Sequence, residues 1–143
     1  MFKTIVLALD GSPGSHRVLD VAGDLVVDST QSLIVVHAVE FVGGYKAGPA
    51  PAHLNEEDIQ RQVRGQVDAL AGVGAQVELR TVDVKLGGPA VAISEVAREV
   101  KADLIVTGTS GHSAIAGVFV GSVAHRLLHI APCPVLVVRP PED

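Results

Sequence analysis

Short, uninterrupted apolar runs are what most constrain this chain. Residues 5–9 are all apolar, and similar runs recur at 33–39, broken only by His37, at 104–106 and at 135–138. A strand with one wet face alternates apolar and polar side chains. Runs without alternation belong to strands covered on both faces, hence to a parallel sheet sandwiched between helices. Residues 76–84 differ: Val77, Leu79 and Thr81 are spaced by polar and charged residues, the pattern of a half-exposed strand near an edge.

Between the runs lie windows with the three-to-four spacing of a single helix face. They are Val18, Leu19, Ala22, Leu25 and Val26; then Ile59, Val63, Val67 and Leu70; then Ile93, Val96, Ala97 and Val100; then Val123, Leu127 and Ile130. Ser12-Pro13 opens the first, Asn55 with Asp58 three residues on resembles a capping arrangement, and Pro89 opens the third. Strand and helix therefore alternate four times before a last strand. The expected fold class is an α/β doubly wound sandwich of five parallel strands with helices on both faces and right-handed crossovers. Residues 41–52, with Gly43, Gly44, Gly48, Pro49 and Pro51, form the one long irregular stretch, expected to be a flap rather than a domain linker.

Composition removes several function classes. At 143 residues, 48% hydrophobic and 19% charged, the chain has enough apolar matter for one core, so a single domain over residues 1–143 is expected and whole-chain disorder is excluded. Net charge −5 with 3% aromatic residues supplies neither the basic surface nor the stacking platforms of a nucleic-acid binder. Cys133 is the only cysteine, which rules out an internal disulfide and a cysteine-paired zinc site. The opening apolar run ends at Asp10, too short for a signal core or a membrane span, so a cytoplasmic chain with no membrane partner is expected.

The most informative segment follows the fourth strand. Gly108, Gly111, Gly121 and Ser122 form the pattern G-x2-G-x9-G-S, which leaves an apolar strand and enters the last amphipathic window. Glycine allows close backbone approach, and a helix amino terminus offers unpaired N–H groups with a partial positive charge, a combination suited to phosphate. Ser122 adds a hydroxyl, for the phosphate or for capping the helix itself. The structural alternative is that Gly121-Ser122 is only a turn and a cap, and that Asp10 only caps the helix after it.

This pattern resembles the nucleotide-binding motif of the universal stress protein family. The likeness extends over essentially the whole chain: Asp10-Gly11-Ser12 after the first strand, His37-Ala38-Val39-Glu40 ending the second, Gly88-Pro89-Ala90 before the third helix, and Pro132-Cys133-Pro134 before the last strand. The full motif is similar to that of the ATP-binding branch. The resemblance implies strand order 3-2-1-4-5, with ATP and Mg²⁺ in the crevice between strands one and four. It implies that Asp10 bonds the ribose or the ligand's metal and that Ala38 and Val39 lie along the adenine. It also implies that Thr107, Gly108 and Gly111 approach ribose and phosphates, and that Gly121, Ser122 and Val123 hold the phosphate tail. Ala8 belongs to the same set, although some family members carry proline there.

Residues 107–124 contain no Lys or Arg. Amides, Thr109, Ser110, Ser113, Ser122 and His112 are what this loop offers, so a triphosphate would be neutralised by Mg²⁺ and oriented N–H groups, with His112 or Arg126 reaching in. Phosphoryl transfer depends on electrostatic stabilisation, and a missing arginine costs about 10³ to 10⁵ in rate where one is normally used. The expectation is a binder that hydrolyses ATP slowly or not at all, with a regulatory or protective role in stress response. In such a regulator, occupancy would order the flap and the glycine loop. A dimeric scaffold with a structural glycine loop, a binder of AMP or cyclic AMP, and a true enzyme on a shared fold are the alternatives.

His125 and His129 are spaced to share a helix face, but no zincin glutamate follows His125 and no third ligand is near, so partly buried helix-face histidines are expected and a metal site is left open. His37, inside an apolar run, is expected to be a core histidine with a backbone partner. Cys133 is expected to be a structural thiol. The last strand, Val135, Leu136, Val137 and Val138, leaves an apolar edge with open backbone groups, and the resemblance implies a homodimer through it.

Overall fold

The parity of the apolar runs builds the molecule. In the computed structural model, which describes residues 1–11, 14–39, 56–109 and 121–140, the order is β1 (Thr4–Ala8), α1 (Gly14–Leu25), β2 (Ser32–Val39), α2 (Glu56–Asp68), β3 (Gln76–Asp83), α3 (Gly88–Glu99), β4 (Leu104–Gly108), α4 (Ser122–Ile130) and β5 (Val135–Val138). The expected flap, Ser12-Pro13 and Asn55 lie outside the described residues.

All pairings are parallel and the sheet order is β3-β2-β1-β4-β5, the expected doubly wound arrangement. Successive side chains on a strand point to opposite faces. Ile5, Leu7, Leu33, Val35, Leu104 and Val106 accordingly join Val18, Leu19 and Ala22 of α1 in one core. The intervening Val6, Ile34, Val36 and Ile105 join Ile93, Val96 and Ala97 of α3 and Leu127 of α4 in the other. The three inner strands have both faces covered, which is why their sequences do not alternate.

The edges read as expected. β3 is half-exposed, with Gln76 and Glu78 open at its start and Thr81 and Asp83 at its end, and Arg80 is held between Glu78 at 2.8 Å and Glu99 of α3 at 3.2 Å. At the other edge, β5 is only four residues long and Leu136 is exposed.

Candidate functional site

β1 leads to β2 and β3 on one side, and the chain then returns to place β4 on the other side of β1. The switch point therefore lies between β1 and β4, and in open α/β sheets ligands bind outside the carboxyl ends of the strands at such a point. Ala8 and Thr107 are register partners at this end, and Gly108 follows immediately.

On the β1 side, the Ser15 hydroxyl of α1 donates to Asp10 Oδ1 at 3.0 Å, fixing the carboxylate against the start of the helix. Gly11 makes the turn possible. Its φ is +77°, and a Cβ there would lie 3.3 Å from both the Gln62 side chain and the Ile59 carbonyl of α2. Leu9 N–H still donates to the Val36 carbonyl, so the end of β1 stays tied to β2.

On the β4 side, Thr107 is buried, and its hydroxyl makes a long 3.5 Å bond to the Gly108 carbonyl. Among the described residues the nearest group to a Cβ added at Gly108 is Val18 Cγ2 at 3.8 Å, an ordinary contact, so the described packing does not demand glycine here. Gly121 N–H donates to the Thr109 carbonyl, bringing the start of α4 beside the end of β4. Gly121 is the N-cap residue, with no side-chain cap bond. Ser122 thus lies inside the helix and is not its N-cap. The first amides of a helix have no partner within the helix itself.

The site residues that the sequence singles out come together at this end: Ala8, Asp10, Thr107, Gly108, Gly121, Ser122 and Val123 occupy the two sides of the switch point, and Ala38 and Val39 end the adjoining β2. Gly111, with Ser110, His112 and Ser113, lies outside the described residues. Ser15 was missed, although a serine five residues after the strand-ending Asp10 and next to a helix start was a usable signal.

Several expectations change. Arg126 donates to the Gly87 carbonyl at 2.6 Å, tying α4 to the turn before α3. His125 and His129 are exposed rather than partly buried, with ring centroids 4.9 Å apart, because the helix turns Ala124 and Leu127 to the core instead. Among the described residues no group of three or more His, Cys, Asp or Glu gathers around a common point. His37 is a core histidine, but its partner is the carboxylate of Glu56 at 2.7 Å, not backbone. Cys133 behaves as a structural thiol: burial first, then the charge of Asp103, pushes its pKa up and disfavours the reactive thiolate.

An open parallel sheet with this strand order, wound in both directions and carrying its glycine and helix-start groups at the reversal, defines a doubly wound, Rossmann-like α/β protein. The comparisons narrow the class: the model of the universal stress protein family matches residues 1–139, and the chain belongs to that family. A universal stress protein of Thermus aquaticus is 40% identical over 141 residues, covering 97% of this chain and all of its own length. A solved universal stress protein in complex with cAMP superposes with a TM-score of 0.69 at 34% identity, covering 96% of this chain and 97% of that one. One from Archaeoglobus fulgidus in complex with dAMP gives 0.67 at 27% identity, covering 94% and 96%. Among the described residues no helix is long and apolar enough to cross a membrane.

Proposed function

We propose that the chain binds an adenine nucleotide in the crevice between β1 and β4, with ATP and Mg²⁺ as the preferred form, and acts as a regulator or protector rather than as a metabolic enzyme. The observation that carries this reading is the start of α4. Gly121, Ser122 and Val123 form a helix amino terminus without a side-chain cap, beside the end of β4 and across the switch point from Asp10. Such a terminus favours phosphate through its free N–H groups and its dipole.

In this reading the α4 amides and Ser122 hold the phosphates, and Thr107, Gly108 and Gly111 allow ribose and phosphate to lie close to the backbone. Ala38 and Val39 supply an aliphatic surface for the base. Asp10 serves the ribose or the metal: a carboxylate has about four acceptor positions, so its bond to Ser15 does not exhaust it. Mg²⁺ prefers to keep waters and phosphate oxygens with one or two carboxylates, which fits a single Asp10 better than a protein cage. When bound, the ion neutralises phosphate charge that the Lys- and Arg-free stretch 107–124 does not. Slow hydrolysis or none follows, since the Arg126 guanidinium is engaged at Gly87.

The related structures hold cAMP and dAMP, which favours a second reading in which a monophosphate is the ligand. Both are tested by denaturing freshly purified protein, identifying any released nucleotide, and titrating the stripped protein with ATP, AMP and cyclic AMP, each with and without Mg²⁺. Tighter binding of ATP with Mg²⁺ supports the first reading and equal or tighter binding of a monophosphate the second. No release and no binding leaves a scaffold with a structural glycine loop.

The same proposal includes a cytoplasmic homodimer joined along Val135, Leu136, Val137 and Val138. β5 has one neighbour in the sheet and presents Leu136 at 38% exposure, so its outer backbone groups and this side chain are open to a second copy. A solution mass equal to one chain at micromolar concentration rejects it.

A further inference from the structure

The outward side of α4 carries two histidines. Ala124 and Leu127 are its buried residues, Arg126 donates to the Gly87 carbonyl, and the Arg98 guanidinium of α3 donates to the Ile130 carbonyl, so one side of the helix faces the core and the next faces α3. His125 and His129 are exposed. At about 100° per residue they project within about 40° of each other and roughly 150° away from the mean direction of Ala124 and Leu127. Among the described residues neither imidazole has a hydrogen-bond or ion-pair partner, and the ring contact each makes is with the other.

The separation of the rings decides what the pair can hold. An imidazole nitrogen binds a divalent ion at about 2.0–2.1 Å and lies roughly 1.2 Å from its ring centre, so two rings on one ion have centres about 4.5 Å apart at a right angle and about 5.2 Å apart at the tetrahedral angle. The His125 and His129 centres are 4.9 Å apart, between those two values, with 69° between the ring planes. An aromatic edge contact spans about 4.5 to 7 Å, so this pair sits in the part of that range that a single ion can bridge. Two imidazoles at i and i+4 on one helix face are also the arrangement with which helices hold Zn²⁺.

Charge favours a cation there. His129 lies in the last turn of α4, where the helix dipole is negative, the chain carries a net charge of −5, and the neighbouring Arg98 and Arg126 guanidiniums are engaged at backbone carbonyls. Cys133, four positions beyond His129, follows the helix and packs against the core, and among the described residues no third His, Cys, Asp or Glu joins the pair. Two protein ligands do not make a closed structural site and leave the remaining positions of the ion to water. We propose that His125 and His129 form a two-imidazole binding site for a late first-row divalent ion of the Zn²⁺ class at the surface of α4. The oxygen-seeking ions Mg²⁺ and Ca²⁺ are not its ligands. The site is separate from the proposed nucleotide crevice, which uses backbone amides at the start of α4 rather than these side chains.

The test is a titration of the full chain, stripped of nucleotide and in phosphate-free buffer at neutral pH, with ZnCl₂, followed by NMR on the histidine rings. The His125 and His129 signals are expected to move together and to saturate at a Zn²⁺ concentration at least about tenfold below that which moves His16, an exposed histidine of α1 with no second imidazole four positions away. Mg²⁺ at the same concentration is expected to leave both signals in place. His125→Asn and His129→Asn, both at exposed helix positions, are each expected to weaken binding at the remaining ring by about tenfold or more while leaving the circular dichroism spectrum unchanged. No saturable shift at about 1 mM Zn²⁺ overturns the proposal, as do a response no tighter than that of His16, an equal response to Mg²⁺, or parent-like affinity in either variant.

Discussion

At the amino ends of the strands, Gln31 is wholly buried and uses its whole amide: Nε2 donates to the Phe2 and Leu25 carbonyls, and Oε1 accepts from the Val27 and Asp28 N–H groups. Asp103 beside it accepts from Lys3 and Thr4 N–H through one oxygen, at 2.8 and 2.9 Å. The carboxyl ends are finished otherwise. Thr107 makes one long bond, α4 begins without a side-chain cap, and His37 Nδ1 has no partner among the described residues. Among the described residues, the same strands thus end in a polar network closed by the chain itself on one side, and in less fully partnered groups on the other. The bonds at the amino ends hold the fold, and the proposed nucleotide site lies at the opposite ends.

The sharpest way to break this contrast is Gln31→Leu, which keeps the volume but strands four backbone groups. It is expected to lower stability by about 3 kcal/mol, roughly 10 °C in Tm, while nucleotide affinity of the folded protein stays at the parent value. Chemical denaturation and a ligand titration on the same sample measure both. A loss of affinity without loss of stability would mean that the two ends are not separable.

The opposite change is made by Gly108→Ala. Since the nearest described contact for the new methyl is an ordinary 3.8 Å, stability is expected to move by no more than about 0.5 kcal/mol. If ATP binds in the proposed site, the methyl takes space beside it, and affinity for ATP is expected to fall about tenfold, equivalent to about 1.4 kcal/mol. An unchanged affinity would remove Gly108 from the site and weaken the whole reading of the crevice.

Much of this division was legible in the residues. The apolar runs 5–9, 33–39 and 104–106 marked the inner strands to within about two residues, because burial on both faces writes itself directly into composition. The glycines and Ser122 marked the open end because their chemistry is local. What stayed hidden depends on docking between distant segments. Glu56 reaches His37 across 19 positions only once α2 lies on β2, and Arg126 reaches Gly87 across 39 only once α4 packs beside α3. Gln31 gave no signal at all, since a glutamine in a polar turn reads as solvated until four backbone groups converge on it. The exposure of His125 and His129 follows from which stripe of α4 faces the sheet, and two histidines do not set that stripe against Ala124 and Leu127.

The smallest effect concerns how completely the closed end is satisfied. Asp28 accepts from Thr30 Oγ1 at 2.6 Å and from Thr30 N–H at 2.8 Å. The side-chain bond from Thr30 and then the backbone bond lower its pKa, partly offset by desolvation, with the charge of Lys3 adding least. A carboxyl whose folded pKa is depressed binds fewer protons when folded, so its contribution is complete above about pH 4 and disappears as pH falls through the depressed value. Asp28→Asn is therefore expected to flatten the acid limb of the stability curve slightly, with the difference between parent and variant shrinking as pH falls. Thr30→Val should reproduce that flattening with Asp28 in place, because it removes the leading cause of the shift while leaving the backbone bond. Denaturant midpoints measured from neutral pH down through that window follow both. If the parent and both variants lose stability in parallel, the Asp28–Thr30 turn is not part of what closes the amino ends, and the closure rests on Gln31 and Asp103.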